Sequence, residues 1–206
     1  MYCDNIPMDE KNTKLAALKQ NIIDQAVCAE LADQAKQLVF GEGSADADVV
    51  FVGEAPGKKE DETGQPFVGA AGRLLDELLA SISLDRSSSY VTNIVKYRPP
   101  QNRDPLPEEK QEFLPFLWQQ IAIIKPKLVV TLGRHSMECL LPHLKISQAH
   151  GTLQQVSLSD RVRDMINADS LTVMPLYHPA AALYNGSLRQ TLFADMHRLA
   201  DWLKSG

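Results

Sequence analysis

Residues 49–76 hold the densest set of side chains that could do chemistry: an apolar run, VVFV, empties into Gly53-Glu54-Ala55-Pro56-Gly57 and continues through KKEDETGQPFVGAAGRLLD. Glu54 is placed to stabilise a developing cation or to position a water, unless it is a surface carboxylate. Glu60 and Asp61 are alternative water-positioning groups, or a solvated acidic turn that balances Lys58 and Lys59. Phe67, in GQPFVG, offers a face for stacking or is an ordinary core phenylalanine. Asn93, in VTNIVKYRPPQNRDPLPEE, presents a donor and an acceptor from one amide, or bonds its own backbone in a turn. His178, in LYHPAAALYNGSLR, is a donor at a strand end or a structural His-Pro turn. The backbone amides around Gly53, Ala55 and Gly57 can donate to negative charge as it grows. This turn has neither the GxxxxGK[ST] nor the GxGxxG spacing, so a nucleoside-triphosphate or dinucleotide site is not indicated.

The elements that must carry these groups follow from periodicity. Leu15, Leu18, Ile22, Ile23, Ala26, Leu31 and Ala35 are spaced as one apolar stripe, which predicts a helical N-terminal extension over 1–43, packed on a domain over 44–206. Continuous apolar runs at 49–52, 90–95, 127–132 and 171–176 read as strands buried on both faces. Helices are expected over 70–81, 107–124, 136–141 and 187–203, with Pro107 and two carboxylates making a good start for the second. Alternating strands and helices predict an α/β fold, a three-layer α/β/α sandwich around a mostly parallel four-stranded sheet. Every candidate motif then lies just past the carboxyl end of a strand, where parallel sheets bind ligands.

Composition bounds the answer. A chain of 206 residues supports one well-packed domain rather than two large ones. Its net charge of -5 argues mildly against a nucleic-acid partner, because Lys and Arg supply most nonspecific affinity for phosphate. Even so, Lys58, Lys59, Lys96, Arg98, Arg103 and Arg189 fall in or beside the candidate segments and form a possible basic lip. No stretch approaches the roughly 20 apolar residues of a membrane span, and Met1-Tyr2-Cys3-Asp4 begins no signal peptide, so a cytoplasmic protein is expected. Cys3, Cys28 and Cys139 are scattered without a CxxC pair and read as free thiols.

FGEG at residues 40–43, GEAPGKKEDETGQPFVGAAGRLLD, TNIVKYRPPQNRDPLPEE, PKLVVTLGR and YHPAA recur in an order that resembles the uracil-DNA glycosylase superfamily, nearest to its family 4 branch. The resemblance spans residues 39–198. It implies a monofunctional glycosylase, monomeric and acting on uracil-containing DNA, with Glu54, Glu60 and His178 at the catalytic site. It also implies that Phe67 stacks on uracil and Asn93 reads its edge, with Gly53, Ala55 and Gly57 lining the base. An Asn93 amide fixed in one orientation would accept uracil and reject cytosine, whose amino group sets donor against donor. Lys96, Arg98, Arg103 and Arg189 become DNA contacts, and Leu183 or Tyr184 a wedge in the minor groove.

The departures matter as much. Family 4 members usually carry four cysteines around an iron-sulfur cluster; here Tyr97 and Phe113 stand at two of those positions and the N-terminal CxxC is missing around Cys28. The expectation is therefore no cofactor and no metal. Tyr184 replaces a usual arginine, and no KRRIH-type insertion follows Lys96. Two alternatives remain at this level: a non-catalytic DNA- or repair-partner-binding module of the same fold, and a hydrolase of small nucleosides or nucleotides.

Overall fold

The computed structural model describes residues 8–205 of the chain; Cys3 lies outside them. The chain begins with α1 (Met8–Asp24) and α2 (Ala29–Ala32), followed by β1 (Glu42–Gly43) and β2 (Val49–Gly53). Next come α3 (Lys58–Thr63), α4 (Ala70–Ser81), β3 (Tyr90–Asn93), α5 (Pro107–Ile124) and β4 (Leu128–Leu132). The remainder is α6 (Arg134–Leu140), α7 (Ile146–Ala149), β5 (Gln154–Ser157), α8 (Asp160–Ile166), β6 (Ser170–Leu176), α9 (Pro179–Ala182) and α10 (Gly186–Ser205).

The sheet order is β1-β3-β2-β4-β6-β5. The four expected strands, β3, β2, β4 and β6, are mutually parallel, and β1 and β5 add antiparallel edges. The sheet is thus six-stranded rather than four-stranded. Both additions escape a hydrophobicity reading for a physical reason: β1 has two exposed residues, and β5, QQVS, alternates between half-buried and exposed as an edge strand does. Because β1 pairs with β3, the sheet begins before residue 44.

Side chains alternate across β2 and sort into two cores. Val50 and Val52 pack with Leu15 and Leu18 of α1 and Phe113, Leu117 and Ile121 of α5. Val49 and Phe51 pack on the other face with Leu74 and Leu78 of α4 and Leu192 and Met196 of α10. These are the two helical layers of the sandwich. Within the N-terminal stripe, Leu15, Leu18, Ile22 and Leu31 are buried, whereas Ile23 is 45% exposed. Lys11 fastens α1 by donating to the Ile124 carbonyl at 3.0 Å, at the end of α5, while meeting Asp46 at 2.7 Å.

From β2 the chain moves to β3 on one side of the sheet, and from β4 it moves to β6 on the other. The outgoing loops of β2 and β4 therefore diverge, which leaves a crevice over their carboxyl ends. That crevice positions the site.

Candidate active site

A cavity of about 320 Å³ opens at this switch point, near the lower end of the range for small-molecule sites, roughly 300–1,000 Å³. Glu54, Ala55, Gly57 and Glu60 line it from the loop after β2, Phe67 from the approach to α4, Asn93 from the end of β3 and His178 from the end of β6. Gly53 sits behind them, one layer down. A methyl group on it would meet Phe67 Cζ at 2.6 Å and fall still closer to Asn93 Oδ1, so the glycine is what lets these two side chains approach the β2 backbone.

Phe67 is held in an unusual conformation. Its φ of 53° lies in the left-handed region, which is rare for a bulky residue and marks a place where surroundings impose the backbone. Two neighbours impose it. Glu60 Oε1 accepts from the amides of Val68 and Gly69 at 2.9 and 2.8 Å, and Gly72 has no side chain to obstruct the Phe67 carbonyl. Glu60 is thus a loop clamp at the cavity wall. Asp61 is buried, with Oδ1 accepting from the Lys36 amide at 2.8 Å, and takes no part in the cavity lining. The Phe67 ring stacks beside His178 with centroids 5.8 Å apart.

His178 has a defined tautomer. Its Nδ1 accepts from the Ala180 amide at 3.1 Å, at the start of α9, which leaves the proton on Nε2. Burial and the neighbouring His135 push its pKa down to about 4, so the ring is a neutral donor near pH 7. Asn93 lines the cavity but is only 2% exposed, and its buried Oδ1, packed against Gly53, has no hydrogen-bond partner among the described residues. Glu54 Oε1 is also unpartnered, with His135 Nε2 at 3.7 Å. Burial raises the Glu54 pKa, opposed by His135 and by the more distant Lys110 and Arg134, while Asp104 adds to the rise.

His135 and Asp104 are neighbours of Glu54 that the sequence does not announce. His135 Nε2, in the first turn of α6, lies 3.1 Å from Asp104 Oδ2 in the loop after β3, and the adjacency of β3, β2 and β4 is what brings both to Glu54. The other expectations divide. Lys96, expected on the DNA-facing lip, is fully buried and cannot touch a phosphate, because its amine is turned inward onto Thr92, Asn93 and Gln120. Arg103 is at the cavity rim but its guanidinium grips Glu109, with Nη1 to Oε2 at 2.9 Å. Arg98 donates to Asn102 Oδ1 at 2.7 Å, and Arg189 pairs with Glu77. Leu183 is half-buried, and Tyr184 beside it is 97% exposed.

The place where a cluster would sit is packed with side chains. Tyr97 and Phe113 meet edge to face with centroids 6.0 Å apart, beside a buried Cys28. Burial and the carboxylates of Glu112, Glu109 and Glu30 push the Cys28 thiol up to about 11, against the thiolate that iron requires. One disfavoured thiolate does not fit a group that takes four.

Residues 40–201 match the sequence profile described as "Uracil DNA glycosylase superfamily". The chain belongs to the uracil-DNA glycosylase superfamily. Within it, the chain is 41% identical over 188 residues to a type-4 uracil-DNA glycosylase of Sulfurisphaera tokodaii, an alignment covering 91% of this chain and 84% of that one. A type-4 enzyme of Archaeoglobus fulgidus is 41% identical, covering 79% of this chain and 80% of its own. One from Thermotoga maritima is 38% identical over 81% and 83%. A type-5 enzyme of Pyrobaculum aerophilum is more distant, at 29%.

Proposed function

We propose that this chain is a uracil-DNA glycosylase that hydrolyses the bond between uracil and deoxyribose, leaving an abasic site for base-excision repair. The observation that carries the reading is the convergence of Asn93, Phe67 and a neutral His178 on one cavity. A flipped uracil lies on Phe67, a contact worth roughly 1–3 kcal/mol. Asn93 Oδ1 accepts from N3–H while the amide nitrogen donates to O4. As the glycosidic bond lengthens, His178 Nε2–H and the amides of the Gly53 to Gly57 turn donate to O2, where the leaving base gathers charge. Glu54, as a carboxylate, stabilises the sugar cation or positions the attacking water. Glu60 holds the loop that sets Phe67.

The reaction needs no lysine Schiff base and no cluster; the packing of Tyr97, Phe113 and Cys28 supports a cluster-free enzyme. Lys58 and Lys59, both exposed at the start of α3, are the phosphate contacts best placed near the cavity, with Tyr184 as wedge. Helix α1 acts as a brace on α5, in a monomer working in the cytoplasm. No helix among the described residues is long and apolar enough to cross a membrane.

The test is release of uracil from single- and double-stranded oligonucleotides, with Asn93→Ala and Glu54→Ala alongside. Turnover lost in both variants supports the assignment. DNA binding without turnover in the wild type favours a non-catalytic module, and turnover of free deoxyuridine with indifference to competing DNA favours a nucleoside hydrolase.

A further inference from the structure

Lys96 is 0% exposed, three residues beyond Asn93, and its side chain folds back beneath the end of β3. Its amine makes three short hydrogen bonds: to the Asn93 carbonyl at 2.6 Å, to Thr92 Oγ1 at 2.7 Å and to Gln120 Oε1 at 2.6 Å. None of these partners is a carboxylate. A lysine buried without a counter-ion is expensive, and here burial drives its pKa well below the ordinary value. Space-filling alone would be served at lower cost by methionine or leucine.

What the expense secures is visible in the surrounding network. Gln120 is itself fully buried and donates to the Phe40 carbonyl at 3.0 Å and to Tyr90 Oη at 3.2 Å. Thr92 Oγ1 lies 2.8 Å from the same Phe40 carbonyl, and the Lys96 carbonyl accepts from the Val39 amide at 2.9 Å. The network is therefore anchored on α5, on β3 and on the segment entering β1, and it ends on the backbone of Asn93. By contrast, Asn93 Oδ1 has no partner among the described residues, so the direction of the amide is set by its packing against Gly53 and by how its backbone is held. The ladder holds one side, through the pairing of Asn93 with Gly53 and the Ile94 amide donating to the Gly53 carbonyl at 3.0 Å; on the Asn93 carbonyl the short hydrogen bond comes from Lys96, with Thr92 Oγ1 a much longer second donor at 3.5 Å.

We propose that Lys96 is a positioning residue for base recognition: it pins the Asn93 peptide from below, so that the amide meets the pyrimidine edge in one orientation. Lys96 is not among the residues that line the cavity, so it neither contacts the base nor serves as a nucleophile. The role rests on the assignment of uracil excision to this chain. Its mechanism is the general one by which a supporting hydrogen bond fixes a recognition group, where a displacement of about 1 Å can cost on the order of a hundredfold in rate.

The experiment compares wild type with Lys96→Met, which keeps most of the volume, and Lys96→Gln, which restores an N–H donor. Single-turnover uracil excision, inhibition by free uracil, affinity for abasic-site DNA and thermal melting are read on each. Lys96→Met is expected to melt cooperatively and bind abasic DNA as wild type does, while excision and free-uracil inhibition fall by about tenfold to a hundredfold. Lys96→Gln is expected to regain part of both. Wild-type excision and uracil inhibition in Lys96→Met overturn the proposal, as do losses in both variants that merely track melting temperature. If Lys96→Met does not fold, Gln120→Met, which frees the amine from α5, is read instead, and unchanged uracil inhibition there overturns it. A wild type that releases no uracil refutes the assigned activity instead, a result distinguishable from an active wild type with an equally active Lys96→Met.

Discussion

Gly53→Ala adds one methyl group at the most confined point of the site. The backbone tolerates it, since Gly53 is absent from the positions with positive φ. The cost is steric. The new carbon would sit 2.6 Å from Phe67 Cζ and 2.7 Å from Cε2, against a comfortable separation of about 3.5–4.0 Å, so the ring or β2 must yield by roughly 1 Å. Neither yields easily: Phe67 is fixed by Glu60 through the amides that follow it, and Asn93 by Lys96. Overpacking of this kind costs about 1–3 kcal/mol, which for a domain of this size lowers the melting temperature by roughly 2–12 °C. Because the two displaced groups are those proposed to hold uracil, excision should fall by about a hundredfold. Gly186→Ala is the control, since a methyl group there meets nothing within 4 Å. The assays are single-turnover excision and thermal melting. Wild-type rate and melting in Gly53→Ala would refute the reasoning, because the contact among Gly53, Phe67 and Asn93 would then be slack.

Three further outcomes are expected. His178 has a folded-state pKa of about 4 against an ordinary value near 6.5, so its contribution to stability is present above pH 6.5 and is lost as pH falls toward 4. At about 1.4 kcal/mol per unit the ceiling is roughly 3 kcal/mol, reduced because the ring faces an open cavity; urea titrations from pH 4 to 7 should show a steeper acid loss in wild type than in His178→Gln. Tyr184→Ala, at a side chain 97% exposed, should leave stability within about 0.5 kcal/mol but slow excision from double-stranded DNA more than from single-stranded DNA; equal slowing argues against a wedge. Phe113→Ala should cost about 3–5 kcal/mol in denaturant titrations, with iron and sulfide absent from wild type and variant alike; stoichiometric iron in either contradicts the packing argument.

The sequence carries most of the frame because the four central strands are short, mostly apolar segments and α4 keeps its four leucines on one face. The expected limits of α4 and α5 coincide with the observed Ala70–Ser81 and Pro107–Ile124, since glycine precedes the first and proline opens the second. Short elements were not legible: α3 lies in a charged run, KKEDET, whose helical turn serves to bring Glu60 back to the loop before α4. At the candidate site, residue type singled out Glu54, Asn93 and His178, which the fold brings to one cavity. It could not say which charged groups face solvent. Lys96 is polar by type and buried by context, and Arg103 is spent on Glu109 at the start of α5. His135 lies 81 residues from Glu54, and no local pattern links them; their meeting is a property of strand order.

The Tyr97–Phe113 packing and the proposed base pocket meet in one stretch of chain. Residues 93–98 leave β3, pass beneath the cavity and enter the proline-rich loop, carrying Asn93, Lys96 and Arg98 in close succession. Any displacement of this stretch moves Asn93, the group proposed to read the base. Tyr97 and Phe113 bind the stretch to α5 by packing, one residue after Lys96 ties it to Gln120 of the same helix. The requirement is mechanical: residues 93–98 must be immobile relative to α5. Buried aromatics and a buried amine can meet that requirement as a metal-thiolate staple does, because the chemistry at the glycosidic bond calls on the stretch for position and not for electrons.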